Sequence, residues 1–229
     1  MTLWLRNQRG AIATSGAAKG PDPTLAWGIF ALDDFVLVKA DGFGTFNLQE
    51  YTIAHWVKPL VDLNYVILWS YDYTSHAAPF YKQAQQIRIG GECQAYFESS
   101  GFSIKVVTGT GLYNKWNHFV TTYKAGEQKL YLNGVEIGSN TFAGPVGIYQ
   151  NQEVWIGKSN FTSGDAQPMH MADSRFYSRA WTSEELTEAY KNYLPPTDAL
   201  VMHYDYAGQV NDQSGSGNHA VSFSGTYGP

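Results

Sequence analysis

The chain has 229 residues, of which 15% are charged, 15% are aromatic and 23 are glycine. This composition is typical of many short strands joined by turns, argues against intrinsic disorder, and suits a single all-β domain. The formal net charge of −5 forms no acidic or basic run, and no apolar segment is long enough to cross a membrane. We therefore expect neither a nucleic-acid partner nor a membrane span.

Residues 1–30 are rich in Gly, Ala, Pro and Ser. This composition predicts an N-terminal arm, with an edge strand at its start, followed by a domain that comprises residues 31–229. The start of the arm lacks the apolar run of a cleaved secretory signal. The arm is a candidate for docking on a partner.

Eleven runs of β-branched and aromatic residues lie between turn signals before residue 180, and they predict eleven strands. Their serial spacing is compatible with two packed sheets. The runs are residues 35–39, 51–57, 65–70, 87–90, 94–98, 103–107, 116–123, 129–132, 135–138, 153–157 and 173–177.

Asn133 and Gly134 lie between two of these runs and predict a two-residue type I′ hairpin turn, which requires two residues with positive φ. The turn fixes the register of the hairpin, so four aliphatic residues share the core face and the other face is wetter. This register pairs Leu132 with Val135 and Leu130 with Ile137, and it places Lys129, Tyr131 and Glu136 on the wetter face.

One helix is predicted in the C-terminal half of the chain. Thr182 and Glu185 form a capping box at its start, and two prolines, Pro195 and Pro196, end it. The apolar face of the helix consists of Leu186, Ala189, Tyr190 and Tyr193. A strand over residues 199–206, a polar loop and a last strand near residues 220–223 follow.

Three segments resemble, in order, the laminin-G-like, concanavalin A-like jelly-roll domains that include pentraxin-type modules. DDFVLVKADGFGTFNLQEYTIAHWVKP resembles their opening strands, WNHFVTTY followed by KLYLNGVEIGS their central hairpin, and DSRFYSRAWTSEELTEAY their closing strand and helix. The resemblance covers residues 33–194. It implies an all-β fold, a two-sheet antiparallel jelly-roll sandwich with one short helix in the C-terminal half.

Residues 199–220 resemble the strand and loop that usually open such domains, yet they come last in this chain. Either the domain is circularly permuted, or a second domain begins here and is cut short. We favour permutation, with the C-terminal strand completing the sandwich, because an orphan strand would leave its backbone polar groups exposed.

The superfamily also contains glycan hydrolases, whose retaining members place two carboxylates on one strand so that both point into the cleft. The predicted strands carry no such pair of acidic residues. We therefore predict that the protein is not an enzyme, and a glycan hydrolase is the least favoured alternative.

Calcium is the cofactor that the resemblance implies. Asp212 and Asn218 lie in a Gly-rich loop of oxygen donors, and Asp173 lies just before the closing strand as a further ligand. The alternative is a solvated turn, in which Asp and Ser side chains bond their own backbone.

Sugar binding needs an aromatic platform beside planar polar groups. Tyr71, Asp72, Tyr73 and His76 follow a predicted strand, and Asn160 is a second candidate, so we predict that these residues contact carbohydrate. The alternative is that the aromatic residues are core or protein contacts. His55 and His118 are interpreted as core histidines.

These observations predict a non-enzymatic surface-recognition or assembly module. Laminin-G-like modules act mostly outside cells, yet Cys93 is the only cysteine and no secretory signal is evident. A virion component resolves this conflict, because it is made in the cytosol and acts outside it. We predict an oligomeric phage-type structural, decoration or host-attachment protein that contacts other virion proteins through residues 1–30 and binds a glycan. The alternative is a free calcium-assisted lectin.

Overall fold

The computed structural model describes residues 26–31, 34–39, 50–62, 65–73, 83–97, 102–107, 110–141, 152–158 and 167–228. Most of the predicted arm, His76 and Asn160 lie outside the described residues. Each strand predicted between residues 35 and 223 overlaps an observed one, and the edge strand predicted at the start of the arm lies outside the described residues. The fifteen strands are β1 (Gly28–Phe30), β2 (Val36–Lys39), β3 (Glu50–Pro59), β4 (Tyr65–Tyr73), β5 (Gln83–Arg88), β6 (Glu92–Phe97), β7 (Phe102–Val107), β8 (Asn117–Lys124), β9 (Glu127–Leu132), β10 (Val135–Thr141), β11 (Gln152–Ile156), β12 (Met169–Tyr177), β13 (Leu200–Tyr204), β14 (Ser222–Phe223) and β15 (Thr226–Tyr227).

The strands form two antiparallel sheets, which confirms the predicted sandwich. The larger sheet has the order β10-β9-β8-β3-β12-β1-β15, and β13 also pairs with β12. The smaller sheet has the order β14-β2-β11-β4-β5-β6-β7. Side chains from both sheets are fully buried in one core between them, where each large apolar side chain contributes about 1.5–3 kcal/mol by leaving water. They include Val36, Val57, Val66, Ile87, Phe119 and Ile156.

Both ends of the described chain pair with these sheets. Strand β13 pairs with β12, β14 pairs with β2, and β15 pairs with β1. Strand β1 lies beside β12, and Phe30 is only 1% exposed. The sandwich therefore includes the last three residues of the predicted arm.

The central hairpin has the predicted turn but not the whole predicted register. Asn133 and Gly134 have φ angles of 55° and 78°, and Val135 is opposite Leu132. Gly138, not Ile137, is then opposite Leu130, because a β-bulge inserts one extra residue into β10. The predicted pairing of Leu130 with Ile137 was therefore wrong.

Strand β5 begins four residues before the predicted run and ends at Arg88. Gly90 and Gly91 both have a φ of 74° and form a 3₁₀ turn instead of a strand. The strand's first residues are a Gln-rich run, which carries no β-branched signal, although Gln85 and Gln86 are buried. Sequence periodicity missed them because burial of a polar side chain in a sheet is decided by its neighbours.

The helix α1 (Ser183–Asn192) begins at the predicted capping box. The Glu185 amide donates to Thr182 Oγ1 over 3.3 Å, and the Thr182 amide donates to Glu185 Oε2 over 2.8 Å. Leu186 and Ala189 pack against the outer face of the larger sheet, where they bury Tyr131. Tyr131, which was predicted on the wetter face, is therefore buried because the helix covers it, whereas Lys129 and Glu136 on that face stay accessible. This helix is the one α-helix in the described segments, and at ten residues it is too short to span a membrane.

Candidate functional site

A cavity of about 100 Å³ lies between the outer face of the larger sheet and the segment that contains α1. Strands β3, β8 and β12 supply its floor, and the helix and its flanking residues supply its cover. Its lining residues are Ala54, Trp56, His118, Asp173, Arg175, Trp181, Ala189, Tyr193 and Pro195. The cavity combines aromatic walls with a charged pair, which makes it a candidate binding site.

The aromatic wall centres on Trp56. Its ring stacks on His118 at 4.9 Å, because the two residues are directly opposite each other on β3 and β8. Tyr190 stacks on the same indole at 5.8 Å, and Tyr193 lies at 6.1 Å. Trp56 and His118 are buried, whereas Tyr190 and Tyr193 are half-buried. The wall therefore continues from the cavity towards the surface.

Asp173 occupies an irregular position in β12. Strand β12 pairs with β1 before this residue and with β13 after it, and the register against β3 shifts between Ala172 and Arg175. Asp173 has a φ of 51°, in the left-handed region that costs a non-glycine residue of the order of 1 kcal/mol or more. Such bulges often re-aim a side chain near a functional site.

The Asp173 carboxylate binds two basic side chains. Arg175 Nε donates to Asp173 Oδ1 over 2.6 Å, and His203 Nε2 donates to the same oxygen over 2.8 Å. Burial alone would raise the pKa of Asp173, but the bonds to His203 and Arg175 hold it below its usual value. Burial disfavours the charged Arg175, yet Asp173 and Tyr177 together outweigh this and raise the Arg175 pKa. The pair is ionised, and its charges compensate each other.

Trp181 lines the cavity, and its indole nitrogen is buried. The residue is 5% exposed, and no acceptor in the described segments lies within hydrogen-bonding distance of its Nε1. Its backbone amide donates to Thr52 Oγ1 over 2.8 Å, and Tyr177 packs edge-on against its ring at 4.9 Å. Nearby, Arg179 bonds both Glu185 and Asp198, so the loop that carries Trp181 is held at both ends.

Below the charged pair, a buried chain of polar groups enters the core. His55 Nδ1 lies 2.9 Å from Ser174 Oγ, which lies 2.8 Å from the Tyr206 hydroxyl. Burial, helped by the nearby His118, lowers the pKa of His55 to about 3, so the ring is neutral. The prediction that His55 is a core histidine is confirmed by its complete burial.

A family model of the laminin-G type, described as the concanavalin A-like lectin/glucanases superfamily, matches residues 33–187. The chain belongs to this superfamily. No curated protein sequence matches it. The matched segment contains every cavity-lining residue except Ala189, Tyr193 and Pro195.

Solved structures of other concanavalin A-like proteins show the same fold at low sequence identity. A proposed carbohydrate-binding protein from Bacteroides ovatus is 16% identical, with a TM-score of 0.59 over 90% of this chain and 58% of that one. The heptameric SAP-like pentraxin from Limulus polyphemus is 16% identical, with a TM-score of 0.50 over 76% and 80%. The serotype D botulinum neurotoxin domain in complex with N-acetylneuraminic acid is 17% identical, with a TM-score of 0.55 over 74% and 42%. The chain thus spans only about half the length of the first and third of these proteins.

The loop of this concanavalin A-like domain that was predicted to bind calcium is organised by Asp212. Asp212 Oδ1 accepts from the amides of His203 and Ser214, both over 2.9 Å. Asp212 Oδ2 accepts from the Asn218 amide over 2.9 Å and from Ser214 Oγ over 2.8 Å. These bonds, despite burial, hold the pKa of Asp212 below its usual value.

These donors do not suit a calcium site. Four hydrogen bonds occupy the four lone-pair directions of Asp212, and the second predicted ligand, Asp173, is bound to Arg175 and His203. Asn218 Oδ1 is buried and, in the described segments, has no partner. No group of three or more His, Cys, Asp or Glu residues in those segments is arranged to hold a metal ion. The arrangement matches the alternative of a turn that bonds its own backbone, and calcium binding stays a prediction.

Of the residues predicted to contact sugar, Tyr71, Asp72 and Tyr73 lie on a strand of the smaller sheet, whereas the cavity lies on the larger one. Tyr71–Tyr73 form the end of β4 rather than a loop, because they pair with β5 and β11. His76 and Asn160 lie outside the described residues, so their role stays a prediction. Sequence reasoning missed Trp56, Arg175, Trp181 and His203. The spacing of Asp173 and Arg175, two apart on one predicted strand, was the available signal.

Proposed function

We propose that this protein is a non-enzymatic recognition module that binds a glycan at the cavity under α1. The observation that carries the proposal is the combination of aromatic walls with the charge-compensated Asp173–Arg175 pair. Sugars need an apolar platform for their C–H faces and fixed polar groups for their hydroxyls, and this site offers both.

The polar groups of the site are accessible from solvent. The side chains of Asp173 and Arg175 are 12% and 15% exposed, and Tyr193 and Pro195 beside them are half-buried. A ligand that enters between them would meet Trp56 and Trp181 in the interior. The fixed bonds of the pair mean that little side-chain entropy would be lost on binding.

The chemistry of the site supports binding rather than catalysis. A retaining glycosidase needs two carboxyl groups about 5–5.5 Å apart, one of which holds a proton. Asp173 is the one acid among the described residues that line the cavity, and its pKa is lowered rather than raised. A carboxylate held ionised by two basic partners is a poor general acid.

A glycan array measured with and without EDTA tests this function. We expect selective binding that survives EDTA, because the polar groups at the cavity are satisfied without a metal. Arg175→Gln should remove the binding, while Arg88→Gln, on β5 of the smaller sheet and outside the cavity, should keep it. Binding that disappears in EDTA would favour the calcium-assisted lectin instead, and no binding in either buffer would refute a lectin role.

We further propose that the module is a virion component that attaches through its N-terminal arm. The supporting observation is that β1 lies between β12 and β15, so the residues before it lead directly from a paired strand. Trp27 also packs against Trp116 at 6.2 Å and His170 at 6.3 Å. Because β1 is fixed to the larger sheet, a partner that bound residues 1–25 would hold the sandwich on a larger assembly.

Deletion of residues 1–25 tests the assembly role. We expect the shortened chain to keep the thermal unfolding curve of the sandwich and to lose its place in a regular particle, seen by mass photometry and negative-stain microscopy. A full-length chain that stays monomeric at all concentrations would contradict the proposal.

A further inference from the structure

We infer that the outer face of the larger sheet carries a second subsite, beside the cavity, that binds the carboxylate-bearing residue of an acidic glycan. The subsite consists of a ring cluster, formed by Trp27, Trp116 and His170, and of the Lys58 ammonium group. This inference rests on the proposed glycan-binding function and adds the chemical class of the glycan.

The subsite lies next to the cavity floor on the same face of the sheet. Trp116 lies two residues before His118, and Lys58 lies two residues after Trp56, its partner across β3 and β8. Side chains two residues apart along a strand share a face, and two residues of a strand span about 7 Å. A glycan bound at the cavity, which His118 and Trp56 line, therefore has the subsite within reach of its next sugar residue.

Three aromatic rings from different parts of the chain meet in the ring cluster. The Trp27 ring lies 6.2 Å from Trp116 and 6.3 Å from His170, and Trp116 and His170 are also 6.3 Å apart. All three residues are half-buried, whereas Trp56 and His118 in the cavity are only 2% and 4% exposed. The cluster is therefore an aromatic surface that solvent reaches, which suits the apolar face of a sugar ring.

Lys58 supplies a positive charge beside these rings. It is directly opposite His170 in the pairing of β3 with β12, and it is half-buried. Burial lowers the pKa of His170, and the nearby Lys58 ammonium lowers it further, so the His170 ring is neutral at pH 7 and the lysine is the cation of the subsite. No carboxylate in the described segments pairs with Lys58. The ammonium group is therefore available to an anion of a ligand.

The two kinds of group together favour a sugar acid. An aromatic surface alone accepts a neutral sugar, and an ammonium group alone accepts any small anion. A sugar acid satisfies both, because its ring has an apolar face and its carboxylate accepts a charge-assisted hydrogen bond from Lys58. The charges of Asp173 and Arg175 in the cavity compensate each other, so the preference for an acidic glycan comes from Lys58.

The first experiment titrates ¹⁵N-labelled full-length protein at pH 7 with glucuronic acid and with its neutral amide, glucuronamide, at equal ionic strength. We expect glucuronic acid to shift the Trp116 indole N–H resonance, assigned by its absence from Trp116→Leu, and to bind about fivefold more tightly than the amide, as one partly exposed ion pair allows. The Trp155 resonance is the control, because Trp155 lies on β11 of the smaller sheet. A Trp116 resonance that does not move would overturn the inference, whatever the glycan array shows.

The second experiment removes the positive charge. Lys58→Gln should bind the two probes equally, because the rings remain and the ion pair is lost. Lys124→Gln is the matched control, since it removes the same charge at the opposite end of β8, where Lys124 is 66% exposed and pairs with Glu50. This variant should keep the preference for glucuronic acid. A preference that survives Lys58→Gln would refute the role of Lys58.

The third experiment removes part of the aromatic surface. Trp116→Leu should weaken the binding of both probes about fivefold, observed at the backbone amide of His170, while thermal unfolding checks that the protein stays folded. Acetate and a short poly-glutamate peptide carry carboxylates without a sugar ring. If either binds as tightly as glucuronic acid, the subsite recognises an anion or an acidic peptide and the inference is wrong.

The outcomes distinguish the inference from the function on which it rests. Arg175→Gln, which disrupts the cavity, should leave the binding of glucuronic acid at the ring cluster unchanged. Neutral glycans bound on the array, together with equal affinities for glucuronic acid and glucuronamide, would refute the acidic preference and leave glycan binding intact. An array without any bound glycan would refute the proposed function, and the glucuronic acid titration would still decide what the ring cluster accepts.

Discussion

Asp212, which is buried, and Asp173, which is partly accessible, are two carboxylates that bind different atoms of the same residue, His203. Asp212 accepts four hydrogen bonds from neutral N–H and O–H groups, three of them backbone amides. Asp173 instead binds the side chains of Arg175 and His203. The first carboxylate is surrounded by dipoles of its own loop and strand, and the second is paired with basic side chains beside a cavity.

This difference separates a structural carboxylate from a candidate functional one. The four bonds of Asp212 shape its own loop and tie that loop to His203 on β13, so the residue has no lone pair left for a ligand. Asp173 lies in a left-handed conformation at a bulge, is partly accessible, and keeps Oδ2 available. The surrounding structure holds Asp173 in a strained backbone conformation although its charge is partly accessible. Such strain supports a functional role for Asp173.

The largest expected effect is a loss of stability in acid that comes from His55. This histidine bonds Ser174, the residue after Asp173. The folded-state pKa of His55 is about 3, below the usual 6.5, so the unfolded state takes up a proton that the folded state refuses as the pH falls. The free energy of unfolding should therefore decrease between pH 6.5 and pH 4, by about 3 kcal/mol in total. Urea unfolding at stepped pH measures this loss.

His55→Gln is the control for that effect, because an amide does not titrate in this range. We expect the variant to lose much less stability between pH 6.5 and pH 4. His170, whose pKa is also lowered, should leave a small residual slope. The lowered pKa values of Asp173 and Asp212 act in a different window, below pH 3.8, where protonation removes their stabilising bonds. A wild-type protein with constant stability from pH 6.5 to pH 4 would contradict the buried neutral His55.

Asp212→Ala tests the structural carboxylate. Three backbone amides would lose their acceptor, and one of them belongs to the buried Asn218, so we expect a loss of about 3 kcal/mol in the free energy of unfolding. Asp205→Ala is the matched control, since Asp205 accepts one exposed bond from the Ala207 amide and should cost about 0.5 kcal/mol. Equal costs for the two variants would contradict the role of Asp212. Glycan binding should be unaffected in both.

Asp173→Asn tests the candidate functional carboxylate. Asparagine tolerates the left-handed conformation, so the substitution removes the charge without disturbing the bulge. Arg175 then loses its counter-ion, and we expect a cost of about 2 kcal/mol in stability together with loss of glycan binding. The double variant Asp173→Asn with Arg175→Gln should recover part of the stability but none of the binding. Full binding by Asp173→Asn would contradict a binding role for Asp173, because the carboxylates of Asp173 and Asp212 would then both be structural.

Local signals allowed much of the fold to be predicted. The Asn133–Gly134 turn and the Thr182 capping box are determined by residues close in sequence, so short motifs identified them. The bulge in β10 was missed because the residues at the bulge are of the same types as those in a regular strand, so the sequence pattern does not mark it. The Gly-rich loop around Asp212 was equally compatible with calcium and with backbone bonding, since both use Asp, Ser and Asn.

The candidate site depends on distant pairings that no motif encodes. Trp56 contacts His118 because β3 and β8 are in register, and Asp173 reaches His203 because β12 changes its partner. The sequence analysis placed Tyr190 and Tyr193 on the apolar face of a helix, but only the packed helix shows that they continue the wall formed by Trp56.

The smallest expected effect comes from weakening α1, the helix that covers the cavity beside Asp173. Thr182→Ala removes the acceptor for the Glu185 amide, and an N-cap of this kind contributes about 1 kcal/mol. The sheet keeps its own pairings, so we expect the helix to open locally and glycan binding at the cavity to weaken. The loop around Asp212 contacts β13 instead, so its amides should stay protected from hydrogen exchange. Hydrogen exchange measured by segment distinguishes the two regions. Faster exchange in the loop as well as the helix would show that the two carboxylates belong to one cooperative unit.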